Sequence, residues 1–360
     1  MLDTFILPPL PPAVNLETHA VLKRLIEAHR NLAELKGIAA TIPNEDILIQ
    51  TLALQEAKDS SEVENIVTTH DELFKADLGS TQTAGSAKEV ARYVSAVRVG
   101  FNAVRQTGLI TVNQLIAIQQ TLENNNAGIR KLPGTTLRNL ATNEVIYTPP
   151  QSYDEIIALM SDLESFINDP TRMQIDILIK MAIIHYQFES IHPFYDGNGR
   201  TGRILNILYL VANGLLNLPI LYLSRYIIHR KTDYYQKLQE VRTSGAWEAW
   251  VLFILDGVIA TSVQTIKLVD QIRTLMLDYK HRIRQELPRI YSQDLLNNLF
   301  RHPYTKIEFL QNDLKVSRVT AGRYLDQLVA AGFLAKHRHS RSNYYVNTDL
   351  VNLLVELPPL

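Results

Sequence analysis

The densest chemistry in the sequence lies between Ile191 and Arg203, which reads Ile-His-Pro-Phe-Tyr-Asp-Gly-Asn-Gly-Arg-Thr-Gly-Arg. It holds an imidazole (His192), a carboxylate (Asp196), two closely spaced glycines (Gly197 and Gly199) and two guanidinium groups (Arg200 and Arg203). An imidazole with an ordinary pKa of about 6.5 is a natural general base toward a hydroxyl near neutral pH. A glycine-rich loop that opens into a helix offers free main-chain N–H groups and the positive end of the helix dipole, a ready site for phosphate. Arg200 and Arg203 are three apart, so they neighbour each other on the first turn and can each present a planar fork to phosphate oxygens. Asp196 supplies a hard oxygen ligand for a Mg2+ whose remaining ligands would be phosphate oxygens and water. Together these groups point to nucleotidyl or phosphoryl transfer onto a hydroxyl.

Other readings of the same residues explain less. Gly197 to Gly202 matches the dinucleotide pattern G-x-G-x-x-G. That pattern should follow a buried strand and precede an acid about 20 residues on; here a helical pattern precedes it, and no Asp or Glu occurs from Ile204 until Asp233. A hydrolytic metal site built from His185, His192 and Asp196 lacks a usual ligand motif. Singly, His192 could be a loop histidine, Asp196-Gly197 a turn and the arginines a solvated helix start. A chance loop has no need of all of them in this order.

Helices must position this loop. Apolar residues recur at helical spacing from Leu16 to Leu35 (Leu22, Leu25, Ile26, Leu32, Leu35), and helical patterning continues through Asp46 to Phe74. Lys75 to Lys88 carries Gly79, Gly85 and several Ser and Thr residues without apolar periodicity, and reads as a linker. Further helices are expected over Glu89–Arg105, Val112–Glu123, Tyr153–Asn168, Arg172–Glu189, Thr201–Ala212, Tyr234–Val241 and Ala246–Thr274. Between Ile129 and Pro150, Pro133-Gly134 and Asn143 punctuate β-prone pieces such as Glu144–Thr148, which predicts one hairpin. Ile204 to Ser224 has no charged residue, yet Asn213-Gly214 and Pro219 break it into pieces too short to span a bilayer, so a buried core helix is expected.

The C-terminal segment differs in charge. From His281 to Tyr345 there are 11 Lys and Arg against 5 Asp and Glu. Lys306–Asp313 and Arg318–Ala331 read as two helices, followed by strands at Gly332–Leu334 and Tyr344–Val346 around the basic tip His337–Arg341, a pattern similar to a winged helix-turn-helix. Lys315, Arg318 and Arg323, near the second of these helices, leave DNA open as a partner of this unit. The whole chain gives no global attraction for nucleic acid or anionic membrane, with 360 residues, 36 Lys and Arg, 37 Asp and Glu and a net charge of -1. At 46% hydrophobic and this length, two or three folded units are expected. The absence of cysteine excludes disulfides and thiolate chemistry and fits a reducing compartment. With an N-terminus unlike a signal peptide, a cytoplasmic location and no membrane partner are the expectation.

The run His192–Arg203 resembles the Fic family signature H-x-F-x-D/E-G-N-G-R-x-x-R at every defined position, and the likeness extends over roughly residues 5–275. It implies a mainly α fold: an all-helical Fic core with one β-hairpin flap over residues 85–278, a helical N-terminal unit over 1–84, and the winged-helix unit over 279–360. It also implies a protein adenylyltransferase that moves AMP from ATP to a Ser, Thr or Tyr hydroxyl of a target protein, and to itself. By this resemblance His192 is the base, Phe194 a buried loop anchor and Asp196 the Mg2+ ligand. Gly197, Asn198 and Gly199 form the phosphate nest, with Thr201 and Gly202 in the same nucleotide-binding turn. Arg200 would hold the β-phosphate, Arg203 the γ-phosphate, and Tyr235 would lie near the nucleoside. Gly199 stands where a phosphate-transferring branch of the family has lysine; phosphocholine transfer remains open. The hairpin around Val145–Thr148 would hold the target by adding its backbone as a strand.

A second constellation, Ser60-Ser61-Glu62-Val63-Glu64-Asn65, has two readings. Locally Ser61 and Glu64 form S-x-x-E, a capping box at a helix start. The resemblance offers the other, because Ser60-x-x-x-Glu64-Asn65 is similar to the inhibitory S/T-x-x-x-E-G/N motif of Fic proteins. Glu64 would then occupy the guanidinium of Arg203 that must otherwise receive the γ-phosphate, and in some family members this glutamate also supports AMP removal. The winged-helix unit would serve target choice or self-association, including a homodimer.

Overall fold

The computed structural model describes residues 7–77, 85–138, 142–339 and 342–357. The chain is mainly helical, as its patterning predicts, with fifteen helices and two small antiparallel sheets among the described residues. The first helices are α1 (His19–Ala39), α2 (Glu45–Val63), α3 (His70–Asp77), α4 (Gly85–Thr107) and α5 (Val112–Glu123). The hairpin β1 (Leu137–Arg138) and β2 (Val145–Tyr147) follows, then α6 (Tyr153–Asn168), α7 (Ile177–Ile191), α8 (Asn198–Ala212), α9 (Ser224–His229), α10 (Lys231–Ser244) and α11 (Trp247–Glu286). The last part holds α12 (Gln293–Arg301), β3 (Tyr304–Thr305), α13 (Ile307–Leu314), α14 (Arg318–Ala330), β4 (Ala335–His339), β5 (Ser342–Val346) and α15 (Thr348–Val355).

Helix α7 is the axis of the core. Every residue from Leu178 to Ile191 is buried, polar ones such as His185 and Glu189 included, so this helix has no solvent-facing stripe. It begins at Asp176, whose side chain accepts the Leu178 N–H, so the helical expectation from Arg172 starts too early. Helix α8 packs against α7 and is buried from Arg200 to Leu210. It ends where Asn213-Gly214 predicts, with Gly214 at φ 70°, and the segment Ile204–Ser224 is buried in two pieces, 204–210 and 218–224, on either side of an exposed turn.

Helix α1 lies along α11 through Val21, Leu25, Ala28, Leu32 and Leu35. Two positions from its apolar pattern, Leu22 and Ile26, face solvent instead, at 44% and 74% exposure. The neighbouring stripe, spaced four, three, four and three, is the one that fits α11. Helix α11 has 40 residues and is about 60 Å long at 1.5 Å per residue. By length and composition it could cross a membrane, but 61% of its most apolar window is buried inside the protein. It runs unbroken through residues 278 and 279, so the core and the C-terminal unit share a helix there and not a linker. Of the linker expected over Lys75–Lys88, α3 and α4 take both ends and residues 78–84 lie outside the described residues.

The C-terminal unit adds three elements that the sequence pattern did not single out: α12, β3 and α15. The strand expected at Gly332–Leu334 lies later, at Ala335–His339: Gly332 and Phe333 turn the chain off the end of α14 by bonding to the Val329 and Leu328 carbonyls, so His337–His339 of the expected tip belong to β4. Its sheet has the order β3-β5-β4, with Ser340 and Arg341 of the basic tip outside the described residues. This unit packs on the N-terminal helices. Helix α12 contacts α2, and the Tyr304 hydroxyl donates to Asp71 on α3 at 2.9 Å. Phe74, Tyr304, Tyr344 and His337 form one aromatic ladder, with ring centroids 5.1, 5.5 and 5.4 Å apart in turn.

Candidate active site

Helix α7 ends at His192, which caps it in the left-handed conformation (φ 50°, ψ 60°) while its N–H donates to the Phe188 carbonyl at 3.0 Å. A non-glycine residue in this region is uncommon and needs its surroundings to hold it. Phe194 provides one hold: it is fully buried, its ring 6.3 Å from that of Phe188. Asn198 provides another. Its side chain accepts the Phe194 N–H and donates to the Phe194 carbonyl, both at 2.8 Å, so it braces the loop and leaves only its main-chain N–H for a phosphate.

Burial lowers the His192 pKa to about 4, with Glu64 acting against that direction and the Arg130 and Arg242 cations adding to it. The ring is therefore neutral near pH 7, the state a base requires. His185 does not join it. It is buried in α7, bonds the Tyr234 hydroxyl at 2.9 Å and stacks on Trp250, and no group of three or more metal-ligating side chains occurs among the described residues. The three-ligand hydrolytic site is thereby overturned.

Gly197 opens α8 at φ 78°, a conformation that favours glycine, and its N–H donates to Asp196 Oδ1 at 2.7 Å. The following first-turn N–H groups have no carbonyl a turn earlier to bond, which leaves an anion site at the helix start. Asp196 stands beside it with its side chain 77% exposed. One accessible carboxylate next to a phosphate site fits a Mg2+ that brings its other ligands as phosphate oxygens and water.

The two arginines are both buried and both engaged. Arg200 donates to Glu89 on α4 and Glu123 on α5, each at 2.8 Å, and lies 3.8 Å from Asp196. Arg203 donates from Nε to Ser60 Oγ and from a terminal nitrogen to the Ser60 carbonyl, both at 2.8 Å, and to Glu64 Oε1 at 2.9 Å. Burial alone would lower the Arg203 pKa, but Glu64, Tyr234 and Glu189 more than offset it and the net direction is upward. Glu64 also lies over the helix start: a Cβ on Gly199 would strike its carboxylate. Likewise a Cβ on Gly202 would strike Glu189, a buried carboxyl whose pKa burial raises to about 7.

The local geometry removes the capping-box reading of Ser61 and Glu64. Both sit at the C-terminal end of α2, where Glu64 is the C-cap and Asn65 turns the chain at φ 64°. A capping box satisfies N–H groups at a helix start, and none are free there. Ser60 and Glu64, four apart, share the face turned to Arg203, and Asn65 suits the left-handed turn that ends the helix. Tyr235 is half-exposed with its ring 5.2 Å from Tyr234, and burial and then Glu64 raise its pKa. Thr201 is fully buried in the first turn of α8.

The hairpin β1–β2 stands over the loop. Tyr147 donates to the Ser190 carbonyl at 2.8 Å, and the Arg242 guanidinium lies 3.9 Å from the centre of its ring. The sequence reading missed Glu89, Glu123 and Arg130, each of which touches this loop. The first two are ordinary acids in amphipathic helices, and only the fold brings them 111 and 77 residues along the chain to Arg200.

The fold is similar to that of a Fic family protein from Desulfovibrio desulfuricans G20, with TM-score 0.60, 20% identity and coverage of 95% of this chain and 98% of that one. Fic-1 from C. elegans is also similar, at TM-score 0.54 and 18% identity over 69% of this chain and 74% of that one. Three family models match in succession: Fic/DOC family N-terminal over residues 22–102, Fic/DOC family over 109–210, and protein adenylyltransferase SoFic-like, C-terminal domain, over 275–350. The chain belongs to the Fic family. A probable protein adenylyltransferase from Aquifex aeolicus is 42% identical over 81 residues, 22% of this chain and 24% of that protein. The protein adenylyltransferase Fic of Culex quinquefasciatus is 27% identical over 209 residues, 58% of this chain and 36% of that protein. The chain thus spans well under half the length of these curated relatives.

Proposed function

We propose that this chain is a protein adenylyltransferase that moves AMP from ATP to a Ser, Thr or Tyr hydroxyl of a target protein, or of itself, and that Glu64 restrains it. His192 takes the hydroxyl proton, the oxygen attacks the α-phosphorus, and the bond to the β-phosphate breaks as pyrophosphate leaves. The first turn of α8 receives the phosphates, Arg200 the β- and Arg203 the γ-phosphate, and Tyr235 faces the nucleoside. A Mg2+ held by Asp196 would supply charge neutralisation for the leaving pyrophosphate. The flap pairs with an extended segment of the target and so positions a hydroxyl without reading much of its sequence. The C-terminal unit, helix and strand followed by two helices and a hairpin, is read as a winged helix that serves target choice or self-association.

The observation that carries the reading is the double position of Glu64. It pairs with Arg203 at 2.9 Å and fills the space over Gly199, the two places a terminal phosphate would take. ATP bound against it lacks its γ-phosphate partner, which misaligns the α-phosphorus for in-line attack. The test is transfer of label from ATP carrying radioactive phosphorus at the α or the γ position, using the parent and Glu64→Gly. Label from the α position alone, stronger in Glu64→Gly, is expected. Label from the γ position would make the protein a kinase and overturn the proposal.

A further inference from the structure

Arg130 is a fully buried arginine without a carboxylate partner among the described residues, and all its bonds go to main-chain carbonyls. Its Nε donates to the His192 carbonyl at 2.8 Å. A terminal nitrogen donates to the Ile191 carbonyl at 3.4 Å and, more closely, to that of Pro150, where the chain leaves β2 for α6. Its own N–H donates to the Pro193 carbonyl at 2.9 Å, and Ile129 bridges to Phe194. Next to it, the Lys131 and Leu132 N–H groups donate to the Tyr195 hydroxyl at 2.9 and 3.2 Å.

Two physical consequences follow from this placement. A cation at the last carbonyls of α7 satisfies groups the helix cannot and complements the negative end of its dipole. It does so at His192, where the backbone holds a left-handed conformation that a non-glycine residue adopts only under constraint. The same planar fork reaches the exit of the flap. A single point charge could neutralise one of these carbonyls, whereas the fork can span them.

We propose that Arg130 is a positioning residue that locks the flap to the backbone of His192, so that a target strand on the flap is held in register with the base. The inference rests on the function proposed above for His192 and the flap. In it, His192 alone moves the proton, and Arg130 fixes where the acceptor oxygen stands relative to the imidazole.

The experiment compares Arg130→Met and Arg130→Lys in the Glu64→Gly protein. Loss of the fork should lower maximal AMP incorporation about 100-fold while affinity for a fluorescent ATP analogue stays within about twofold, the signature of lost positioning. Arg130→Lys should recover only a small part of the rate. The pH profile separates positioning from general loosening. The charged groups facing His192 are Glu64, Arg130 and Arg242, and Arg130 acts to keep its pKa low. Arg130→Met should therefore shift the acid limb of the rate upward in pH, and Arg130→Lys should not.

Hydrogen exchange reads the same lock without catalysis. Residues 145–152 and 190–197 should lose protection together in Arg130→Met. Transfer within about a factor of three of the reference, or faster exchange in only one of the two segments, overturns the proposal. If the Glu64→Gly protein transfers no AMP at all, the functional reading fails and the exchange result alone decides the lock. If Arg130→Met does not fold, Arg130→Lys carries the exchange test.

Discussion

At the scale of single residues, the proposed chemistry turns on His192. His192→Ala is expected to lower AMP incorporation by about 100-fold to 10,000-fold, since the general base is lost while the phosphate site remains. ATP-analogue binding by the same variant should be unchanged. Because burial holds His192 near a pKa of about 4, a base that works neutral stays competent well below pH 6.5. The acid limb of the rate, measured in buffers from mildly acidic to neutral, should lie below that of an ordinary histidine, and a limb at the ordinary value would contradict it. His192, Asp196 and the glycines were legible because one short stretch carries them in a fixed order. Glu89, Glu123 and Arg130 were not, because their significance arises only when α4, α5 and the strand-like segment after α5 close around that stretch.

At the scale of elements, α2 carries both the proposed restraint and a sensitivity to pH. Glu64→Gly should raise AMP incorporation at least about tenfold, equivalent to about 1.4 kcal/mol of barrier. The double variant with Arg203→Ala should show no such gain, because an absent guanidinium cannot be freed. Further back on α2, Glu56 is buried and accepts bonds from Tyr93 at 3.0 Å and from Ser224. Burial raises its pKa from 4.5 to about 8, against the pull of Ser224 and Arg203. The folded state then binds a proton that the unfolded state has released, so stability falls as pH rises from about 4.5 to about 8 and levels off above. Melting temperature followed across that window should show the fall, and Glu56→Gln should flatten this contribution. The sequence showed the long periodic helices α5 and α6 to the residue and identified the hairpin. It did not show β3, α12 or α15, which are too short for a periodic signal and exist because α11 and β5 offer them a surface.

At the scale of the whole molecule, the C-terminal unit is built onto the N-terminal helices and not hung from them. Tyr304 stands at the junction, stacked on Tyr344, tilted against Phe74 and bonded to Asp71. Tyr304→Leu removes two ring contacts, each worth about 0.5–1.5 kcal/mol, and should lower the melting temperature of the whole protein in one transition. Two separated transitions in calorimetry would mean that the junction does not couple the parts. The sequence separated these parts by composition and charge, and it could not show the coupling, since Phe74 and Tyr304 are 230 positions apart and each reads as an ordinary aromatic.

The aromatic ladder from Phe74 to His337 is also a contact route between distant surfaces, and thermodynamics sets what any ligands at its two ends would exchange. The ladder joins the C-terminal hairpin to α3, and α3 begins at His70, separated by residues 66–69 from the turn that ends α2 at Glu64 and Asn65. A molecule that binds the hairpin equally well with Arg203 paired or free changes nothing at the nucleotide site, however tightly it binds. One that favours the free state tightens ATP by some factor, and ATP must tighten that molecule by the same factor. If the ladder carries such an exchange, breaking it at Tyr304 alters ATP-analogue affinity in the parent and leaves it unaltered in Glu64→Gly, where the two ends no longer have anything to trade; unaltered affinity in both would mean that it carries none.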